Sequence, residues 1–160
     1  MAGYEHEFQV EVRGLAGRLG VVSLGLGSAH AWGLVIQVHS EFPRPCGTFW
    51  KLAVENETEP ITDKNISITG ISAVNCVKCI PAKHEQNNAV RAVESLFRSG
   101  QSLDALPLET HLMWLSLQSL TFGKRFNQSM DNATLPSGLQ SLTFGEDFNQ
   151  SMENVTLPSG

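Results

Sequence analysis

Residues 117–138 read LQSLTFGKRFNQSMDNATLPSG and residues 139–160 read LQSLTFGEDFNQSMENVTLPSG, a tandem repeat with a period of 22 residues. Eighteen of the 22 positions are identical; the four that differ are Lys124/Glu146, Arg125/Asp147, Asp131/Glu153 and Ala133/Val155. Three of those four pairs are charged in both copies, as positions facing water would be. A repeat of this kind decides architecture ahead of any local preference, because near-identical copies take the same local structure.

Each repeat reads as a short strand and a returning arc. Leu117, Leu120 and Phe122, with their equivalents Leu139, Leu142 and Phe144, follow an L-x-x-L-x-F spacing whose last two members alternate as a strand does. Gly123 is expected to break the strand and let the chain turn. Phe126, Met130 and Leu135, repeated as Phe148, Met152 and Leu157, supply the apolar inside of the arc. Pro136-Ser137-Gly138 turns the chain into the next strand. One such unit cannot bury its own apolar face, whereas stacked copies can, which is the logic of a solenoid. Asn127 and Asn149 each follow a core Phe and are expected to point inward, satisfying backbone groups that a sharp bend leaves unpaired.

In order and period this unit resembles the FNIP repeat, a 22-residue relative of the leucine-rich repeats named for its Phe-Asn pair. Here the pair is Phe126-Asn127 and Phe148-Asn149, within LxxLxFGxxFNQSM…LPSG. The resemblance covers 44 residues, just over a quarter of the chain. Ser129-Met130 and Ser151-Met152 depart from it, standing where the family often has Pro followed by an aliphatic residue. That change keeps the apolar character and gives up some rigidity of the turn. The resemblance implies a curved, strand-lined protein-interaction surface and no catalytic residues. Two copies are fewer than the roughly three such arrays normally need, and the run ends at Gly160, a repeat boundary without a polar cap. It reads as a fragment of a longer array. In the competing reading residues 101–116 form a degenerate preceding coil: Leu112, Leu115 and Leu117 echo the leucine spacing and Leu106-Pro107 the turn, in the wrong register for a 22-residue step.

Upstream, residues 84–99 carry the clearest helix. Ala89, Val90, Ala92, Val93, Leu96 and Phe97 form one apolar stripe. Asn87 or Asn88 is expected to cap its start, and Gly100 to end it in the left-handed conformation. Its expected work is to cover the open apolar end of the first coil. Between residues 48 and 80 the pattern is strand-like, with Phe49, Lys51, Ala53 and Glu55 on one face and Trp50, Leu52 and Val54 on the other. Ile66, Ile68, Ile71 and Val74 suggest a second strand broken at Gly70. Residues 19–40 contain no Lys, Arg, Asp or Glu, and 12 of residues 19–38 are apolar. The length suits a membrane span, but Gly20, Gly25, Gly27, Gly33, Ser23, Ser28, His30 and Gln37 favour buried strands. The expected fold class is α+β: a small N-terminal α+β region followed by a short FNIP- and leucine-rich-repeat-like solenoid of two coils. Its divisions are a strand-rich region (1–83), a helix with an irregular lead-in (84–116) and the repeats (117–138 and 139–160).

Composition narrows the functional classes. The chain has 160 residues, 11 basic against 16 acidic, and a net charge of −5. That balance argues against binding nucleic-acid phosphates, which takes a basic face. Three cysteines do not make a disulfide scaffold. Cys76 and Cys79 with His84 have the C-x2-C-x4-H spacing that opens a zinc knuckle, but the fourth position, 89, is alanine, and Cys46 could complete the set only from a distance. A thiol-redox pair would want a βαβ context that is missing. Val21–Gly27 runs into a G-x-G turn, yet residue 30 is histidine where the dinucleotide fingerprint needs its third glycine. None of the five histidines (6, 30, 39, 84 and 111) sits in H-E-x-x-H, and neither a G-x-S-x-G elbow nor a Walker loop occurs. Sequons fall at Asn56, Asn65, Asn127, Asn132, Asn149 and Asn154. They signify glycosylation only on the secretory route, and residues 1–18 do not form a basic leader.

The expected function is that of a non-enzymatic interaction or scaffold protein, without cofactor. Its partner would be another protein, held along the strand face or stacked on the open end, with self-association through the open C-terminal coil a further expectation. Nucleic acid is not expected as a partner, a membrane is disfavoured, and a cytoplasmic location is favoured. Two alternatives stay open: a secreted or cell-surface repeat glycoprotein anchored by residues 19–38, and a zinc-binding or thiol-redox domain around Cys76 and Cys79.

Overall fold

The structure, a computed structural model, describes residues 7–131 and 133–158. The sequon at Asn132, His6 and the repeat boundary at Gly160 lie outside the described residues. The chain is mixed α and β and falls into two compact units, one drawn from Met1–Pro45 and Phe49–Cys79, the other from Cys46–Thr48 and Ile80–Gly160.

The first unit is a four-stranded sheet with one helix. Strands β1 (Phe8–Gly14) and β2 (Gly17–Leu24) form an antiparallel hairpin whose turn needs Gly17 at φ 119. β3 (Phe49–Val54) and β4 (Ala73–Cys79) pair antiparallel, and β4 runs parallel to β1, giving the order β2-β1-β4-β3. Val10↔Val22, Val12↔Val74 and Leu52↔Cys76 are cross-strand partners, and these residues are all buried, so they line one face of the sheet. Helix α1 (Ala31–Glu41) packs against β2 and β3 and buries Ala31, Leu34, Val35 and Val38. The uncharged stretch 19–40 therefore holds the end of β2, a short 3-10 turn and most of α1, not strands throughout, and no helix among the described residues is long and apolar enough to cross a membrane. Gly33 admits α1 at this place, since a Cβ there would fall 2.3 Å from the Ser28 carbonyl oxygen.

The second strand expected around Ile66–Val74 begins later, at Ala73. Ile68 is fully buried outside any strand, held by its N–H donating to the Ala29 carbonyl at 3.1 Å. An apolar run with alternating spacing can fill a core from a loop as well as from a sheet, so spacing alone did not separate the two.

The second unit opens with helix α2 (Lys83–Ser99). Asn87 and Asn88 lie inside it; its start is held instead by Glu85, whose carboxylate accepts the Ala82 N–H at 2.7 Å. Gly100 ends it at φ 67, with the Gln101 N–H donating to the Leu96 carbonyl at 3.0 Å. Residues 108–115, expected to be irregular, form a short helix α3 (Leu108–Leu115) that packs on α2. Strands β5 (Ser119–Thr121) and β6 (Ser141–Thr143) follow, one in each repeat. The core of this unit gathers Val90 and Val93 of α2, Trp114 of α3, and Leu117, Leu120, Phe122, Phe126, Met130 and Leu135 of the first repeat.

Candidate interaction surface

The two repeats lie side by side with equivalent residues adjacent. β5 and β6 pair in parallel, Ser119↔Ser141, Leu120↔Leu142 and Thr121↔Thr143, each pair one period apart. The Phe122 N–H donates to the Thr143 carbonyl at 3.0 Å and the Ser141 N–H to the Gln118 carbonyl at 3.1 Å. Beyond the strands the Asp147 N–H donates to the Lys124 carbonyl at 3.2 Å. Rings follow the same step: Phe122 stacks on Phe144 with centroids 5.5 Å apart, and Phe126 on Phe148 at 6.1 Å. Within each repeat the two Phe rings also stack, at 4.1 Å and 3.9 Å.

Gly145 has a role that turn chemistry did not suggest. Neither it nor Gly123 takes a positive φ. A Cβ on Gly145 would lie 2.4 Å from Lys124 Cα and 2.5 Å from the Gly123 carbonyl oxygen, so glycine is there to let one backbone approach the other. On Gly123 a Cβ would first meet the Glu94 carboxylate, at 3.3 Å.

Asn127 carries the polar part of the stack. Its Oδ1 accepts the Asn149 N–H and the Gln150 side-chain amide, each at 3.0 Å. Its amide thus serves the backbone of the next repeat rather than a bend in its own. Asn149 is exposed, and its Oδ1 accepts from Gln150 of the same repeat at 3.1 Å. The Lys124 ammonium meets the Glu146 carboxylate at 2.8 Å, with both side chains well exposed. Ser129, where the resemblance had suggested proline, closes a local turn: its hydroxyl accepts the Asp131 N–H at 3.2 Å and donates to the Asp131 carboxylate at 2.8 Å.

α2 covers the side of the first repeat turned away from the second. Phe97 lies against Phe122 and Phe126 at 6.5 and 6.1 Å, and the Glu94 carboxylate accepts the Gly123 N–H at 2.5 Å. The Trp114 indole ties α3 to the returning arc by donating to the Thr134 carbonyl at 3.2 Å. Leu117, Leu120, Phe122, Phe126, Met130, Leu135 and Leu139 are buried. Leu142, Phe144, Phe148 and Met152 are only half-buried, and Leu157 is 61 % exposed. Leu157, expected in the repeat core, is thus exposed, and so is Asn149, expected to point inward.

Two of the three cysteines belong to the first unit. Cys76 and Cys79 lie three apart on β4 and leave opposite faces of the sheet. Cys76 is buried, and burial raises its thiol pKa. Cys79 edges an apolar groove of about 300 Å³ with Lys51, Ala53, Pro60 and Val77. Among the described residues no three His, Cys, Asp or Glu side chains converge as metal ligands, and His84 lies on α2 in the other unit.

The sequence profile of the FNIP repeat matches residues 115–147 and 126–160, and these residues are FNIP repeats. No curated protein and no solved structure matches the chain.

Proposed function

We propose that the chain is a non-enzymatic protein-interaction or scaffold module whose two repeats are coils of a leucine-rich-repeat-like solenoid. The observation that carries this reading is the in-register pairing of equivalent residues one period apart, which leaves Ser119, Thr121, Ser141 and Thr143 exposed together on the strand face. Four small hydroxyl side chains on adjacent parallel strands make a flat polar strip that a partner's side chains can approach closely. Such strips collect affinity from many modest contacts across neighbouring strands.

Photocrosslinking residues placed at Thr121 and Thr143 test this reading, with Leu15, 93 % exposed on the hairpin turn, as control. Discrete protein adducts from Thr121 and Thr143 but not from Leu15 are expected. Equal adduct patterns at all three positions, or none at the strand face, would rule it out.

A further inference from the structure

The two edges of the four-stranded sheet are finished differently. On β3 the Leu52 carbonyl accepts the Ile61 N–H at 2.7 Å, so the chain that follows returns to cover that edge. Beside β2, among the described residues, no strand lies on the side away from β1. Alternation fixes which backbone groups of β2 face that side. The Glu11 N–H donates to the Ser72 carbonyl at 2.9 Å, toward β4, so Val10 and Val12 turn their groups to β2. Their partners Val22 and Gly20 meet them, which leaves the N–H and C=O of Val21 and Ser23 pointing out of the sheet. None of these four groups has a backbone partner among the described residues. Ser23 is exposed and Val21 half-buried. Toward the hairpin the register shifts beside Val12 and Arg13, leaving Leu19 as a bulge that limits the regular edge to Gly20–Leu24.

The four groups lie symmetrically about Val22. An antiparallel copy of the same strand centred there sets Val21 of each chain opposite Ser23 of the other and satisfies every one of the groups. Gly20 then faces Leu24, so no facing pair holds a charge, since residues 19–40 contain none. A charged segment would find no opposite charge along this edge, whereas an identical strand brings none to bury or repel. Natural sheets blunt a lone edge with lysine, proline or an inward charge, and Gly20–Leu24 carries none of these. We infer that β2 pairs with β2 of a second copy of this chain, antiparallel about Val22, joining two four-stranded sheets across a two-fold axis. The inference stands apart from the strand-face reading, because Thr121 and Thr143 belong to the other unit.

Sedimentation equilibrium of the full chain, from micromolar to millimolar concentration, tests it. The unaltered chain is expected to pass from monomer to dimer. Val21→Lys together with Ser23→Lys sets like charges opposite each other twice in the dimer and should weaken it at least about tenfold. Val21→Lys together with Ser23→Glu sets opposite charges there and should restore it. Within the chain's own sheet positions 21 and 23 sit beside Glu11 and Gln9, so neither variant places like charges across β1. Hydrogen exchange of the unaltered chain gives a second readout: the Val21 and Ser23 amides should gain protection as concentration rises, while that of Val22, bonded to β1, stays protected throughout. A chain monomeric up to about 1 mM, a dimer indifferent to the lysine pair, or loss of the dimer in both variants overturns the inference. So does concentration-dependent protection that leaves Val21 and Ser23 unchanged. Loss of the Thr121 and Thr143 crosslinks would overturn only the strand-face reading.

Discussion

Gly145 passes so close beneath Lys124 that the smallest side chain would place a carbon 2.4 Å from the Lys124 Cα. The opposing atoms are backbone, which cannot swing aside as the end of a flexible side chain would. Gly145→Ala should therefore cost about 1–3 kcal/mol, the usual range for overpacking. Gly123→Ala should cost under about 1 kcal/mol, because the Glu94 carboxylate that it approaches can move. Hydrogen exchange of the Asp147 and Phe122 amides, which bridge the repeats, reports the difference directly.

Asn127 and Asn149 occupy equivalent positions but unequal environments. Replacing Asn127 with alanine removes the acceptor of the Asn149 N–H and one of the two acceptors of the Gln150 amide, and should cost about 1–1.5 kcal/mol. Asn149→Ala removes one exposed bond within its own repeat and should cost no more than about 0.5 kcal/mol. Denaturant midpoints of the two variants test the asymmetry, and equal losses would show that the amide ladder does not join the repeats.

Lys124 and Glu146 form an exposed pair worth about 0.2–1 kcal/mol at most. Their larger expected effect is on register, since like charges facing each other across adjacent strands are unfavourable. Glu146→Lys should loosen the second repeat, and Lys124→Glu in the same chain should restore it. A double-mutant cycle measures this coupling, and a value of zero would show that the two residues act independently.

His39 contributes a pH dependence to the first unit. Its Nδ1–H donates to the Val35 carbonyl at 2.7 Å, while Nε2 accepts the Trp50 N–H at 3.0 Å, an arrangement only the neutral ring can make. Burial chiefly, with Arg44 nearby, brings its pKa down to about 4, although the Val35 bond acts in the opposite sense. The unfolded chain, with a histidine near 6.5, binds the proton first as pH falls. The contribution is thus complete above about pH 6.5, drains away between there and pH 4, and is gone below; it amounts to at most about 3 kcal/mol. An NMR titration of the ring should show a midpoint near 4, and His39→Gln should flatten stability across that window.

Parts of this architecture were legible without coordinates. The 22-residue period implies equivalent structures, and the apolar stripe of 84–99 ending at Gly100 implies a helix with a left-handed stop; both follow from local periodicity. β1 is legible in the same way, since Phe8, Val10 and Val12 alternate with Gln9, Glu11 and Arg13. The parallel partnership of β1 with β4 joins Val12 to Val74 across more than sixty residues, and no local pattern encodes such a pairing. Helix α1 was hidden because an uncharged run suits a buried strand and a buried helix equally.

The division is sharpest in the repeats themselves. Leu120 and Leu142, or Phe126 and Phe148, are the same residues in the same local sequence, and so take the same backbone course. Their burial differs nevertheless: Leu120 and Phe126 are at most 2 % exposed, whereas Leu142 and Phe148 remain partly open. Sequence determines conformation through interactions along a few neighbouring residues, which both copies share. Burial is decided by what packs from outside the segment: among the described residues the first repeat lies between α2 and the second repeat, whereas the second packs on the first alone.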